Sequence, residues 1–269
     1  MGLTPHSQHA TLVQTAIQTN KALFLEKPLC TTEEELAALR QTAAAAQSLP
    51  VIFVGHNRRY SPHTLQMQKW LAGRQGPLVL QMRVNTGFVP GSHWVHSDDE
   101  GRSRIVGEVS HFIDLIECLA NASIVRVSAE RISGDNRSAV NNDNIAMSFK
   151  LADGSVGTLI YTASGDKAYS REMTEIFFDG KTISSKDFRI SELHANGKST
   201  TFKTSGQEMG YRQELESFVD CVQGDLSKAV CLYKSFSTMA VIFAVERALA
   251  TASVQPLVNT RLNEKQSLN

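Results

Sequence analysis

The sequence of 269 residues is short of cysteine and has no excess of charge of either sign. Its four cysteines are too few for a disulfide scaffold, and none forms a C-x-x-C pair, so we expect reduced thiols and a cytoplasmic protein. Its 27 basic and 27 acidic residues cancel, which argues against a protein that binds nucleic acid through general attraction to phosphates.

Long hydrophobic runs are also missing. The longest, Met239 to Val245, falls far short of the roughly 20 residues that a membrane span needs, and residues 1–20 contain no apolar signal segment. We therefore expect neither a membrane partner nor a targeting signal. A hydrophobic content of 42% is ordinary for a folded protein and excludes a disordered or collagen-like chain.

Several ligand-binding motifs are absent as well. No two glycines stand two positions apart, so the chain has no G-x-G-x-x-G dinucleotide loop. His93 and His96, followed by Asp98, Asp99 and Glu100, have the residue types of a metal site. Because loop histidines often lie near acids by chance, we predict no metal.

Residues 1–60 alternate helix and strand patterns. A helix is predicted over 7–20, a buried strand at 22–26, a helix capped by Thr32 and Glu35, and a second strand at 51–54. This order is typical of a parallel sheet covered by helices. Two strands are too few for such a sheet, so we interpret residues 1–60 as part of a Rossmann domain whose early strands are missing.

Residues 61–269 predict a second, α+β domain. Apolar alternation and three hairpin-type turns, at Asp153-Gly154, Asp179-Gly180 and Asn196-Gly197, favour a mainly antiparallel sheet over 123–205. Helices are predicted over about 107–120, 209–223 and 232–252. In the second of these, one apolar face carries Leu215, Phe218, Val219 and Val222.

Two segments stand where chemistry is expected. Glu26-Lys27-Pro28 closes a buried strand, and ligands of open parallel sheets bind at the carboxyl ends of strands. His111 shares a predicted helical face with Glu108 and Asp114, and a nearby carboxylate orients an imidazole and raises its proton affinity. The alternatives are a solvated strand end and a half-buried histidine in an amphipathic helix.

Two further segments are polar. Thr4 to His9 enters the first helix, whose N-terminus favours anions, although the same residues suit a plain N-cap. His56 to Tyr60 closes the second strand, or is simply a polar surface loop.

The order of these elements resembles the glucose–fructose oxidoreductase, inositol dehydrogenase and rhizopine-catabolism (Gfo/Idh/MocA) family over about residues 4–255. The matching motifs are T-P-H-x-x-H, E-K-P, G-H-N-R-R-Y-S-P and G-E-V-S-H-F-I-D. The resemblance implies an NAD- or NADP-dependent oxidoreductase acting on a sugar, an inositol or a derivative of either. It also implies a Rossmann domain followed by a domain with a large open sheet, which would pair in a homodimer or tetramer.

The resemblance also implies roles for individual residues. Lys27 and His111 match the family's catalytic lysine and histidine, and Asn57 and Trp94 fall where substrate contacts are expected. The residues matching the cofactor site are Thr4, Pro5, His9, Glu26, Lys27 and Pro28.

Two departures from the family pattern leave the activity open. The family often has an acid four residues before the histidine, where this chain has Gly107, so we expect Glu108 to substitute. The first strands and the glycine loop, on the order of 70–100 residues, are missing. One alternative is a truncated, non-catalytic dimerisation or sugar-binding module. Another is a sugar-responsive regulator, but no DNA-binding segment supports it.

Overall fold

The computed structural model describes residues 1–97, 100–134, 140–228, 230 and 232–257. Asp98 and Asp99 of the grouping considered for a metal, and Cys231, lie outside these ranges. Among the described residues no helix is long and apolar enough to cross a membrane.

The first part of the chain forms a small parallel sheet, as predicted. Strands β1 (Leu23–Leu25) and β2 (Ile52–Val54) pair in parallel, and Gly2 adds a single parallel bridge to Leu25. Helices α1 (His9–Gln18) and α2 (Glu33–Ala45) connect these segments. The capping box that begins α2 is present, with Glu35 N donating to the Thr32 hydroxyl. The two strands therefore end side by side at one edge.

The rest of the chain builds a nine-stranded sheet in the order β10-β9-β8-β7-β3-β6-β5-β4-β11. Every pairing is antiparallel except that of β3 with β6. The strands are β3 (Val79–Asn85), β4 (Ile124–Arg131), β5 (Asn144–Leu151), β6 (Val156–Thr162), β7 (Glu172–Phe178), β8 (Lys181–Lys186), β9 (Ile190–Ala195), β10 (Lys198–Lys203) and β11 (Gln255–Pro256).

The three predicted turns join β5 to β6, β7 to β8 and β9 to β10. In the last two, both central residues have positive φ, the conformation that Asp-Gly and Asn-Gly adopt most readily in tight hairpins. The predicted class, a parallel Rossmann-like part followed by a large and mainly antiparallel sheet, is confirmed.

Helices α3 (Pro62–Leu71), α4 (Ser110–Ala120) and α6 (Leu232–Thr251) pack around the core. The apolar side chains of α4 and α6 belong to one hydrophobic cluster that also includes Leu25 and Val54 of the small sheet. Helix α6 contacts both β2 and β4. It therefore ties the small sheet to the large one and fixes the position of the strand ends.

Helix α5 (Tyr211–Val222) forms where predicted, but its apolar face is not a core face. Leu215, Val219 and Val222 are 39%, 49% and 51% exposed. Of the four apolar residues, Phe218 is the one packed inward, edge-on against Phe24 and Phe53. The helix therefore attaches to the small sheet through one aromatic cluster and leaves an apolar stripe at the surface.

The large sheet has an apolar patch as well. Val79, Ile160 and Phe177, on neighbouring strands β3, β6 and β7, are 51%, 46% and 42% exposed. Their neighbours in sequence, including Leu80, Leu159 and Ile176, point into the core. One face of the sheet is thus packed by helices, and the other presents these side chains outward.

Candidate active site

The loop before α1 is tied to the loop after β1 by a buried histidine. His9 Nδ1 lies 2.6 Å from the carbonyl oxygen of Pro28, and its Nε2 lies 3.0 Å from that of Thr4. Both partners are acceptors, so a neutral ring donates only one of these hydrogen bonds and a cationic ring donates both. The contacts bring the predicted segments Thr4 to His9 and Glu26 to Pro28 together.

Lys27 follows directly after β1, and its peptide bond to Pro28 is cis. Its Nζ donates a hydrogen bond of 2.8 Å to the carbonyl oxygen of Gly107, which fixes the ammonium at the segment before α4. Burial lowers the pKa of Lys27, and the nearby carboxylates of Glu108 and Glu26 oppose that effect.

The segment before α4 is a π-helical turn, Ile105–Val109, not the regular helix that the sequence predicted. Glu108 lies in this turn, and its carboxylate accepts hydrogen bonds from Tyr161 and, at 3.0 Å, from Arg104. Arg171 lies 3.9 Å away. Among the described residues His111 is not a partner of Glu108, so the expected orienting contact between the two is corrected. The wider turn displaces Glu108 from the helical face of His111.

His111 lies in the first turn of α4 and is 8% exposed. Burial holds its pKa well below the usual value, and the positive charges of Arg58 and Lys27 lower it further. The ring is therefore neutral at physiological pH and carries one basic nitrogen. Its Nδ1 is buried without a hydrogen-bond partner, so Nε2 is the nitrogen that can meet a ligand in the space beside Lys27, here called the cleft.

Asn57 and Trp94, the predicted substrate contacts, occupy different environments. Asn57 is fully buried, and its amide nitrogen donates to the carbonyl oxygen of Met209 at 2.8 Å, so the structure does not bring it to the site's surface. Trp94 is 52% exposed and stands edge-on to His6, with ring centroids 5.6 Å apart. Trp94 therefore lies at the surface of the protein, next to the loop that leads into α1.

Sequence reasoning missed two buried ion pairs beside the site. Arg58 binds Glu172 through two hydrogen bonds of 2.9 and 2.6 Å. Arg59 binds Asp114 in the same two-pronged manner, at 2.8 and 2.5 Å. Consecutive arginines directly after a buried strand were the available signal, since a buried arginine needs a carboxylate partner.

Two polar atoms near Lys27 could accept a hydrogen bond from a ligand or donate one to it. The Thr4 hydroxyl and His6 Nδ1 are buried without partners beside the start of α1, as expected of groups that await a polar ligand. The sequence has no glycine loop to cradle the phosphates. Among the residues that the structure describes, no group of three or more His, Cys, Asp or Glu side chains could hold a metal ion.

Comparisons with known proteins give relatives in sequence and in fold. Residues 3–56 match the sequence profile of an oxidoreductase family with an NAD-binding Rossmann fold, GFO_IDH_MocA. An inositol 2-dehydrogenase of Rhizobium meliloti is 23% identical over 92% of this chain and 77% of its own length. Together with the shared fold, these matches support the assignment of the chain to the Gfo/Idh/MocA family.

The chain is also similar to a second dehydrogenase and to a solved oxidoreductase structure. A 1-carboxy-3-chloro-3,4-dihydroxycyclohexa-1,5-diene dehydrogenase of Comamonas testosteroni is 30% identical over 131 residues. That match spans 47% of this chain and only about a third, 32%, of the relative. The structure of an Agrobacterium radiobacter oxidoreductase, solved with NAD⁺, L-tartaric acid and magnesium, shares the fold with a TM-score of 0.74 and 14% identity. The overlap covers 94% of this chain and 78% of that protein.

Proposed function

We propose that this chain carries the substrate and nicotinamide site of an NAD- or NADP-dependent oxidoreductase that acts on a sugar, an inositol or a derivative of either. The observation that supports it most is the pairing of a fixed ammonium with a neutral imidazole. Lys27 is held on the Gly107 carbonyl oxygen at the carboxyl end of β1, and its charge lowers the pKa of His111. These are a hydrogen-bond donor and a base that lie near enough for the charge of one to act on the other.

The chemistry follows from these two groups. In the oxidation direction the substrate C–H bond breaks with its electron pair, and a bound nicotinamide supplies the acceptor for that hydride. His111 takes the hydroxyl proton, which requires the neutral ring that burial provides. Lys27 donates a hydrogen bond to the oxygen as negative charge develops on it, and a fixed positive charge in a dry site stabilises that oxygen.

The remaining predicted residues position the ligands. In this proposal Thr4, Pro5, Glu26 and Pro28 hold the nicotinamide, and His9 acts on it indirectly by fixing the carbonyl groups of Thr4 and Pro28. Trp94 covers one face of the sugar-like ring from the surface. We assign residues 1–60 to the dinucleotide-binding part and residues 61–269 to the substrate-binding and oligomerisation part. The names of the inositol and dihydroxycyclohexadiene dehydrogenases to which the chain is similar support a cyclic polyol as substrate.

A fluorescence titration of the chain with NADH and NADPH tests this proposal. Saturable binding is expected, followed by oxidation of a substrate from a panel of inositols and aldoses. Lys27→Ala is expected to lower kcat by about 10²–10³-fold with a much smaller change in KM. Lys198→Ala, in an exposed hairpin, is the matched control. Equal kcat values for the Lys27 variant and the unaltered chain would refute the role of Lys27.

A non-catalytic module is the second candidate, and two observations favour it. The sequence lacks the glycine loop, and the outer face of the large sheet exposes Val79, Ile160 and Phe177. In this reading the sheet pairs with a second copy, and the cleft binds a sugar without a cofactor. A stable dimer that binds neither NADH nor NADPH would favour this module over the oxidoreductase.

A further inference from the structure

A second histidine lies directly behind His111. His56 follows β2 and is almost completely buried, and its ring stands edge-on to that of His111 with centroids 5.9 Å apart. On its other side, His56 Nδ1 lies 3.6 Å from an oxygen of Asp114. Arg59 donates two hydrogen bonds to that carboxylate and keeps it in place. His111, His56, Asp114 and Arg59 thus form one row of adjacent side chains.

Two atoms in this row lack partners. His56 Nε2 and His111 Nδ1 are both buried and make no hydrogen bond. Buried polar nitrogens in folded proteins are almost always paired, so two unpaired nitrogens on adjacent rings are natural partners for each other. With ring centroids 5.9 Å apart, the two nitrogens can pair directly or through one bridging water.

The charges around His56 fix which of its nitrogens donates. Burial lowers the pKa of His56 to about 4, so the ring is neutral and has one donor and one acceptor. The carboxylate of Asp114 faces Nδ1, which places the proton there. Nε2 is then an acceptor, and it is the buried nitrogen without a partner.

We propose that His56 is a positioning residue for His111: its Nε2 accepts the Nδ1–H of His111, directly or through one water. This contact holds His111 in the tautomer whose Nε2 is free to take a proton from the cleft. The inference rests on the proposed function for its purpose, but the contact exists without cofactor or substrate.

Protons balance along the row. When His111 gains a proton at Nε2, its Nδ1–H stays in place, and the lone pair of His56 Nε2 stabilises the cation. Asp114 remains an anion paired with Arg59. A neutral hydrogen-bond acceptor such as His56 suits this site because Lys27, Arg58 and Arg171 already place positive charge near His111. His56 thereby does the orienting work that Glu108, engaged by Tyr161 and Arg104, does not.

The tautomer of His111 tests the proposal without any activity measurement. Long-range ¹H–¹⁵N spectra of the full chain, labelled at histidine, report which ring nitrogen carries the proton. We expect Nδ1–H on both His111 and His56 in the unaltered chain. A proton on Nε2 of His111 would overturn the proposal, whether or not any variant folds.

Two variants sharpen the test. His56→Phe keeps the ring volume and removes the acceptor, so the Nδ1–H signal of His111 should be lost or shift toward that of the other tautomer. His63→Gln alters another buried histidine, bonded to Ser191 and Thr204, and should leave His111 unchanged. An unchanged His111 spectrum in a folded His56→Phe variant would also refute the contact.

An activity arm separates this inference from the proposed function. If the chain oxidises a substrate, His56→Phe should lower kcat by about 10–100-fold and leave KM within about twofold, the range for partners that orient a reacting group. His56→Gln, which keeps an acceptor, should recover part of that loss. If no cofactor binds, the proposed function fails while the tautomer result still decides the role of His56.

Discussion

The buried pair of Arg58 and Glu172 gives a measurable prediction about what joins the two sheets. Arg58 comes from the turn after β2, and Glu172 is the first residue of β7. Both are almost fully buried, and the guanidinium also lies 4.8 Å from the ring centroid of Phe112. Replacing Arg58 by Met keeps most of the side-chain volume but leaves the Glu172 carboxylate buried without its main partner.

The expected cost follows from that orphaned charge. Removing one member of a buried ion pair typically destabilises a protein by about 3–5 kcal/mol. Arg171, with Nε 3.7 Å from Glu172, compensates in part, so we expect the Arg58→Met loss near about 3 kcal/mol. That is a large share of the roughly 5–15 kcal/mol by which folded proteins are stable. Replacing both residues by Met should restore most of the loss, because no charge is then left buried.

Urea unfolding of the two single variants and the double variant measures these terms as a double-mutant cycle. Arg212→Met is the control, since Arg212 makes the same type of ion pair, with Glu216, at the surface and should show no measurable change. The reasoning is refuted if Arg58→Met is no less stable than the control. It is also refuted if the double variant is less stable than both single variants.

Other residues give shorter predictions. Burial raises the pKa of Glu117 from 4.5 to about 7, so the folded state holds a proton that the unfolded state releases. The free energy of unfolding should therefore fall by about 3 kcal/mol as the pH rises from 4.5 to about 7. Glu117→Gln should remove this pH dependence, and parallel pH profiles of the variant and the unaltered chain would contradict the reasoning. Phe218→Ala should cost about 2–3 kcal/mol in urea unfolding, whereas Val219→Lys, on the exposed side of the same helix, should cost less than about 0.5; equal losses would mean that the apolar stripe is covered. If the large sheet pairs two copies, Ile160→Glu should shift sedimentation from dimer to monomer without a change in circular dichroism, and an unaltered dimer would exclude this face.

The elements that sequence predicts well are those specified by neighbouring residues. Thr32 and Glu35 cap a helix within one turn, and the Asp-Gly and Asn-Gly pairs turn hairpins without help from the rest of the chain. Lys27 is in the same class, because the end of a buried strand is visible in the sequence and its position relative to the sheet follows.

Features that depend on distant partners were not predictable. Arg58 and Glu172 are 114 residues apart, and no local pattern pairs them. In α5 the apolar period is real, but periodicity does not say what the face packs against. Of the four apolar residues on that face, Phe218 packs on Phe24 and Phe53 of the small sheet, where Cys221 of the same helix is also buried. The position of His56 behind His111 likewise arises from the docking of the turn after β2 beside α4.

The π-helical turn at Ile105–Val109 sets the rotation of α4 about its axis relative to the residues before it. Substituting a side chain in this segment alters one group, but adding or removing one residue would rotate every later residue of α4 relative to the residues before it. Such an insertion or deletion would determine whether Glu108 or another residue faces the imidazole of His111, although neither Glu108 nor His111 would itself be replaced. Counting residues back from His111 therefore does not identify its orienting group, and relatives that differ by one residue here are expected to differ in which side chain serves that imidazole.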